Sequence, residues 1–152
     1  MGDIVKEKQI YTEIEIDATP EQVWDVLIDL QHWQDWNPFI VSSEGKAEEG
    51  RKIKNTMVNG DKRMVFKPKV LTVDKYKEFK WQGHLLIPGL FDGMHKFEIQ
   101  QTAGGKVRVV QSEQFKGILT GMVLKRIGDE TISGFKAMNA ALKERVEAEI
   151  SQ

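Results

Sequence analysis

The chain has 152 residues, enough for a core that needs no cross-links, and it contains no cysteine, which removes disulfide scaffolds and thiolate metal sites. Its 22 basic and 23 acidic residues are interspersed and leave a net charge of −1, so neither nucleic acid nor an anionic membrane surface is expected as a partner. Residues 1–6 offer no signal peptide and no later stretch is apolar enough to span a bilayer, so the expectation is one cytoplasmic domain over residues 1–152, monomeric or homodimeric, without integral membrane association.

In chain order, Ile10, Thr12, Ile14 and Ile16 alternate with Tyr11, Glu13 and Glu15, the period of a strand with one wet face. Thr19 then suits a helix N-cap, Pro20 its first turn, and Gln22 the reciprocal capping position. Val23, Trp24, Leu27 and Ile28 give that short helix its apolar face, and residues 29–36 predict a second short helical turn stopped by Asn37-Pro38. Six strand-like segments follow, at residues 40–44, 52–58, 62–74, 79–84, 94–101 and 106–116. Asn59-Gly60 is a strong hairpin signal, Pro68 reads as a bulge or edge position inside the third segment, and residues 88–93 form a loop.

The last element, residues 121–150, is a long amphipathic helix. Phe135, Met138, Leu142, Val146 and Ile150 recur at steps of three or four, while Lys136, Lys143, Glu144, Arg145, Glu147 and Glu149 take the other side. Leu142, Val146 and Ile150 should anchor its later half, and Gly121 and Gly128 predict a kink or break near Asp129. One strand, two short helices, six strands and one long helix make an α+β fold, in which a single curved antiparallel sheet of about seven strands grips the helix.

This layout, with residues 18–24 (ATPEQVW) and 33–39 (WQDWNPF), resembles the START-like or SRPBCC superfamily of helix-grip proteins. Residues 88–97 (PGLFDGMHKF) and 113–119 (EQFKGIL) are similar to those of small bacterial polyketide cyclase/dehydrase-type members. The resemblance implies an apolar cavity between sheet and long helix that holds a hydrophobic small molecule: a lipid, a sterol or an aromatic polyketide-like compound. It leaves open two other functions, a cyclase or dehydratase and a chaperone-binding interaction module.

The residues themselves single out two candidates for acid-base chemistry. If residues 103–105 form a three-residue hairpin loop, the flanking strands oppose Phe97 to Gln111 and His95 to Glu113, within reach of a hydrogen bond. A carboxylate on an apolar strand face needs a partner, and His95 is the predicted one. The pair reads either as an acid-base couple or polar anchor in a greasy pocket, or as a structural pair that fixes the hairpin. Trp33 and Trp36 are placed at the cavity mouth, and Trp81 lies beside Gly83 on a strand face. Asn55, Met57, Met64 and Phe66 are assigned inward, and the ligand is expected beside Thr131, Phe135 and Met138, across from His95 and Glu113. The 3 histidines show no metal-ligand spacing, and no phosphate loop, dinucleotide fingerprint or nucleophile elbow occurs, so no metal, cofactor or covalent mechanism is expected.

Overall fold

A computed structural model describes residues 7–84 and 87–152; residues 1–6, on which the signal-peptide expectation rests, lie outside them. Strand β1 (Glu7–Ile16) leads into helix α1 (Pro20–Leu27), which begins as its sequence dictates. The Thr19 hydroxyl accepts from the Gln22 amide at 3.2 Å and the Gln22 side chain accepts from the Thr19 amide at 2.9 Å, so two N–H groups with no helical partner are satisfied reciprocally. A short 3-10 helix, Leu30–Asp35, follows, and the side-chain oxygen of Asn37 then accepts from the amides of Phe39 and Ile40 and turns the chain into the sheet.

The remaining elements are β2 (Ile40–Glu44), β3 (Lys54–Asn59), β4 (Lys62–Phe66), β5 (Lys69–Asp74), β6 (Glu78–His84), β7 (Asp92–Gln101), β8 (Val107–Lys116) and α2 (Thr120–Ile150). Strands β1-β8-β7-β6-β5 form one antiparallel ladder and β2-β3-β4 a second. This corrects the expected single sheet of about seven strands. The run 62–74 is two strands, because Pro68 has no N–H to continue a ladder and the chain changes partners there. The break also joins the two ladders. The carbonyl of Pro68 accepts from the Ile53 amide at 3.0 Å, and the Val70 amide donates to the carbonyl of Arg51 at 2.8 Å.

The β7–β8 hairpin has the expected register, with His95 opposite Glu113 and Phe97 opposite Gln111. Its loop closes through hydrogen bonds between Thr102 and Lys106, and Gly105 adopts φ +79°, the left-handed conformation that such a loop requires.

Helix α2 runs unbroken over 31 residues, so the break expected near Asp129 does not occur. The packed core on its inner side outweighs the roughly 1 kcal/mol that each interior glycine costs relative to alanine. Phe135, Met138, Leu142 and Val146 are buried as the periodicity requires, against β1, β8 and α1. Ile150 is not. It is 42% exposed, where the last turn faces an open groove between residues 17–22 and the β7–β8 loop. Gly134 marks a close approach: a Cβ there would collide with the ring of Phe39.

Candidate functional site

A cavity of about 130 Å³ opens between the two ladders and the first half of α2. Its wall is almost wholly apolar: Phe39, Ile40, Met57, Met64 and Phe66 from β2–β4 and the segment before them, Trp81 from β6, Phe91 and Phe115 as a stacked pair, and Val123 and Ile127 from α2. Gly83 and Gly93 remove side chains from the sheet side. The polar groups on the wall are few: His95, Glu113 and Thr131, with His84 at the rim.

His95 is buried, with its Nδ1 3.1 Å from Glu113 Oε1 and its Nε2 2.9 Å from Gln111 Oε1. The ring stacks on Trp81 at a centroid distance of 4.6 Å and touches Phe97 and Phe135 at 4.8 Å each. The Gln111 amide donates to Asn139 Oδ1 at 2.7 Å and to the Phe135 carbonyl at 3.3 Å. Asn139 donates to the Thr12 hydroxyl at 2.9 Å, which in turn donates to the Gln111 carbonyl at 2.8 Å. A satisfied polar chain thus crosses the core from β1 to the cavity, where an unpaired member would be costly. Glu113 ends it. Its second oxygen, Oε2, makes no hydrogen bond among the described residues and lies over Gly93, where a Cβ would collide with it.

At the rim, Asp92 holds the turn of residues 87–90 by accepting from the Gly89 amide at 3.1 Å, and pairs with Nδ1 of His84 at 2.8 Å. Thr131 donates to the carbonyl of Ile127 at 2.7 Å and accepts from Asn59 at 3.2 Å, so its hydroxyl is occupied.

Of the residues singled out from sequence, Met57, Met64, Phe66, Trp81, His95, Glu113 and Thr131 meet at the cavity wall. The others do not. Trp33 is fully buried behind the wall, its indole donating to the Leu27 carbonyl at 3.0 Å and its ring set against Trp36, Trp81 and Phe97, so it does not stand at the mouth; Trp36 is half-buried and is not among the wall residues. Phe97, Phe135 and Met138 fill the core beyond His95, Gln111 sits behind the imidazole, and Asn55 accepts from Ser43 at 2.6 Å inside the small ladder. Aromatic packing fills that half of the space the ligand was expected to use.

Sequence reasoning missed Phe91, Phe115, Gly93 and the stripe of Val123 and Ile127. Steps of four from Val123 through Ile127 to Thr131 are a helical face that was legible, and Gly93 stands one alternation from His95 on the same strand face.

The fold is shared with proteins of low sequence similarity. Zhui aromatase/cyclase of Streptomyces sp. R1128 is 12% identical with a TM-score of 0.78, covering 95% of this chain and 96% of its own. Norcoclaurine synthase of Thalictrum flavum is 20% identical with a TM-score of 0.72, at 94% and 96% coverage. A START superfamily protein of Mycobacterium smegmatis is 17% identical with a TM-score of 0.70, at 92% and 97% coverage. At these identities the likeness establishes the helix-grip fold alone. A comparison with curated proteins finds no match. The sequence itself matches a family over residues 7–147, nearly its whole length, and the chain belongs to that family, described as polyketide cyclase/dehydrase and lipid transport.

Proposed function

We propose that the protein binds a small, largely apolar molecule in the cavity between the ladders and the first half of α2. The observation that carries this reading is an opening of about 130 Å³ with an aromatic and aliphatic wall and, among the described residues, one carboxyl oxygen without a hydrogen bond. Apolar walls with a few convergent polar groups are the usual composition of ligand sites. Its size favours a compact ligand. A cavity of roughly 150 Å³ holds benzene, so one ring fits and a sterol or long acyl chain would remain mostly outside. Family membership supports both a carrier and a cyclase-type role, and the open cavity favours either over an interaction module with a filled core.

The test is a thermal-shift series of single-ring aromatics, fatty acids and sterols. Ring compounds at saturating concentration should raise the melting temperature, since binding to the folded state alone stabilises it by about 2.7 kcal/mol at 100 times Kd. No shift with any member, at millimolar concentration, refutes the reading.

One feature favours an enzymatic role as a second reading: Glu113 and His95 sit at the wall and are not sealed behind Trp81 and Phe97, so a proton acceptor faces the ligand space. Turnover of a cyclisable polyketide analogue by the native protein and its loss in Glu113→Gln would establish it. Absence of turnover with tight binding leaves the carrier.

A further inference from the structure

The polar chain behind the cavity has a fixed direction, because backbone carbonyls only accept. The carbonyl of Phe135 takes a hydrogen from Gln111 at 3.3 Å, which turns the NH2 of that amide toward α2 and its oxygen toward His95. Asn139 follows the same sense, accepting from Gln111 at 2.7 Å and donating to Thr12, whose hydroxyl donates to the carbonyl of Gln111 at 2.8 Å. Neither amide can be turned over without setting acceptor against acceptor. His95 Nε2, 2.9 Å from the Gln111 oxygen, therefore carries a hydrogen.

Nδ1 of His95 faces Glu113 Oε1 at 3.1 Å, a contact that one proton between the two atoms satisfies. With none, a lone pair would oppose a carboxylate beside buried aromatic rings. With two, an imidazolium without a counter-charge would lie among Trp81, Phe97 and Phe135. The first sets acceptor against acceptor, and the second leaves a buried imidazolium without a counter-charge; both are costly. A single proton between Nδ1 and Oε1 satisfies both atoms, whether it rests on nitrogen or oxygen. In the first case Oε2 is the other oxygen of a carboxylate, and in the second it is the carbonyl of a carboxylic acid. It bears no hydrogen in either.

We propose that Glu113 Oε2 is an obligate hydrogen-bond acceptor and that the cavity therefore selects neutral single-ring molecules with a hydroxyl or N–H facing Glu113, rejecting those with only an acceptor there. This rests on the cavity being a ligand site. Among the described residues beside Glu113 no other donor is free, since the Thr131 hydroxyl already donates to Ile127 and both His95 nitrogens are engaged. Gly93 makes room for Oε2 itself, since a Cβ there would collide with it.

Calorimetric titration with p-cresol, its isomer anisole, and toluene tests the proposal, since the two isomers differ in whether their oxygen donates. p-Cresol should bind at least about 10-fold more tightly than anisole, because a site built around one hydrogen bond strongly disfavours an analogue that cannot make it. Anisole should bind no better than toluene. Glu113→Leu should reduce the p-cresol to anisole ratio to within about 2-fold, as the acceptor is gone. Gly93→Ala, whose methyl group would collide with Oε2 and displace the carboxylate from its place, provides the same reduction independently should the leucine variant fail to fold. Equal affinity for the two isomers in the native protein, or a preference for anisole, overturns the proposal and leaves the ligand-site reading standing. If none of the three binds, the ligand-site reading falls and the proposal with it.

Discussion

The two halves of α2 are one continuous helix and do different work. The later half presents Phe135, Met138, Asn139, Leu142 and Val146, all buried against β1, β8 and α1, and its one buried amide is hydrogen-bonded on both sides. The earlier half presents Val123, Ile127 and Thr131 to open space, and only Thr131 of these is fully buried. The same 3.6-residue period produces both faces. The difference lies in what stands opposite: a close-packed strand pair at one end, and at the other a gap between two ladders, between which the chain crosses at Pro68. An amphipathic stripe thus specifies that a helix is covered and not how tightly.

The comparison breaks most visibly under truncation. Leu142→Ala should cost about 2–5 kcal/mol by denaturant unfolding, because the close-packed end cannot collapse around the void. Ile127→Ala should cost less than about 1 kcal/mol, as its side chain already borders a cavity and loses few contacts. Similar losses at the two positions would mean that the halves are packed alike. The next effect joins them. Gly134→Ala should cost roughly 1–3 kcal/mol by overpacking, and because Phe39 must move toward the cavity it lines, it should also weaken binding of ring compounds measured by calorimetry.

Gly128 sits in the loose half with nothing near its missing Cβ, so Gly128→Ala should stabilise by about 0.8–1 kcal/mol through helix propensity alone, read as a rise in melting temperature. The smallest effect is at the firm end. The Lys143 ammonium at 2.8 Å, and then the Asp17 amide at 3.1 Å, hold the Glu147 carboxyl below the usual carboxylate range. A lowered folded value contributes stability that is complete above the ordinary carboxylate range and is lost as pH falls through the lowered one. Glu147→Gln should therefore cost a few tenths of a kcal/mol at neutral pH, the size of an exposed i, i+4 pair. The difference from the native protein should vanish in acid unfolding curves below that window.

The order of elements, the capping box and the β7–β8 register were all legible, because each depends on local chemistry: alternation, a Thr-x-x-Gln sequence, and a glycine-rich loop of definite length. The pairing of His95 with Glu113 follows from that register by counting. Depth was not legible. Periodicity assigns Phe97, Phe135 and Met57 alike to inward faces, and only the three-dimensional fill decides that the first two close the core while Met57 lines the opening. Pro68 was misjudged for a related reason. A proline within an apolar run announces a missing donor, but whether the chain bulges or changes partners depends on strands far away in sequence, here the segment around Ile53.

The stacking of Trp81 on His95, at 4.6 Å and an interplanar angle of 23°, gives the protein a built-in optical gauge. Indole emission responds to charge and polarity against its face, and this indole touches both the imidazole whose hydrogens are fixed by the polar chain and the space into which a ligand would enter. Trp33, 6.1 Å away, lies close enough to pass its excitation on. Trp81 is the tryptophan on the cavity wall among the described residues, so a change in its emission on adding a ring compound is the expected sign of occupancy, read in solution without attaching a label.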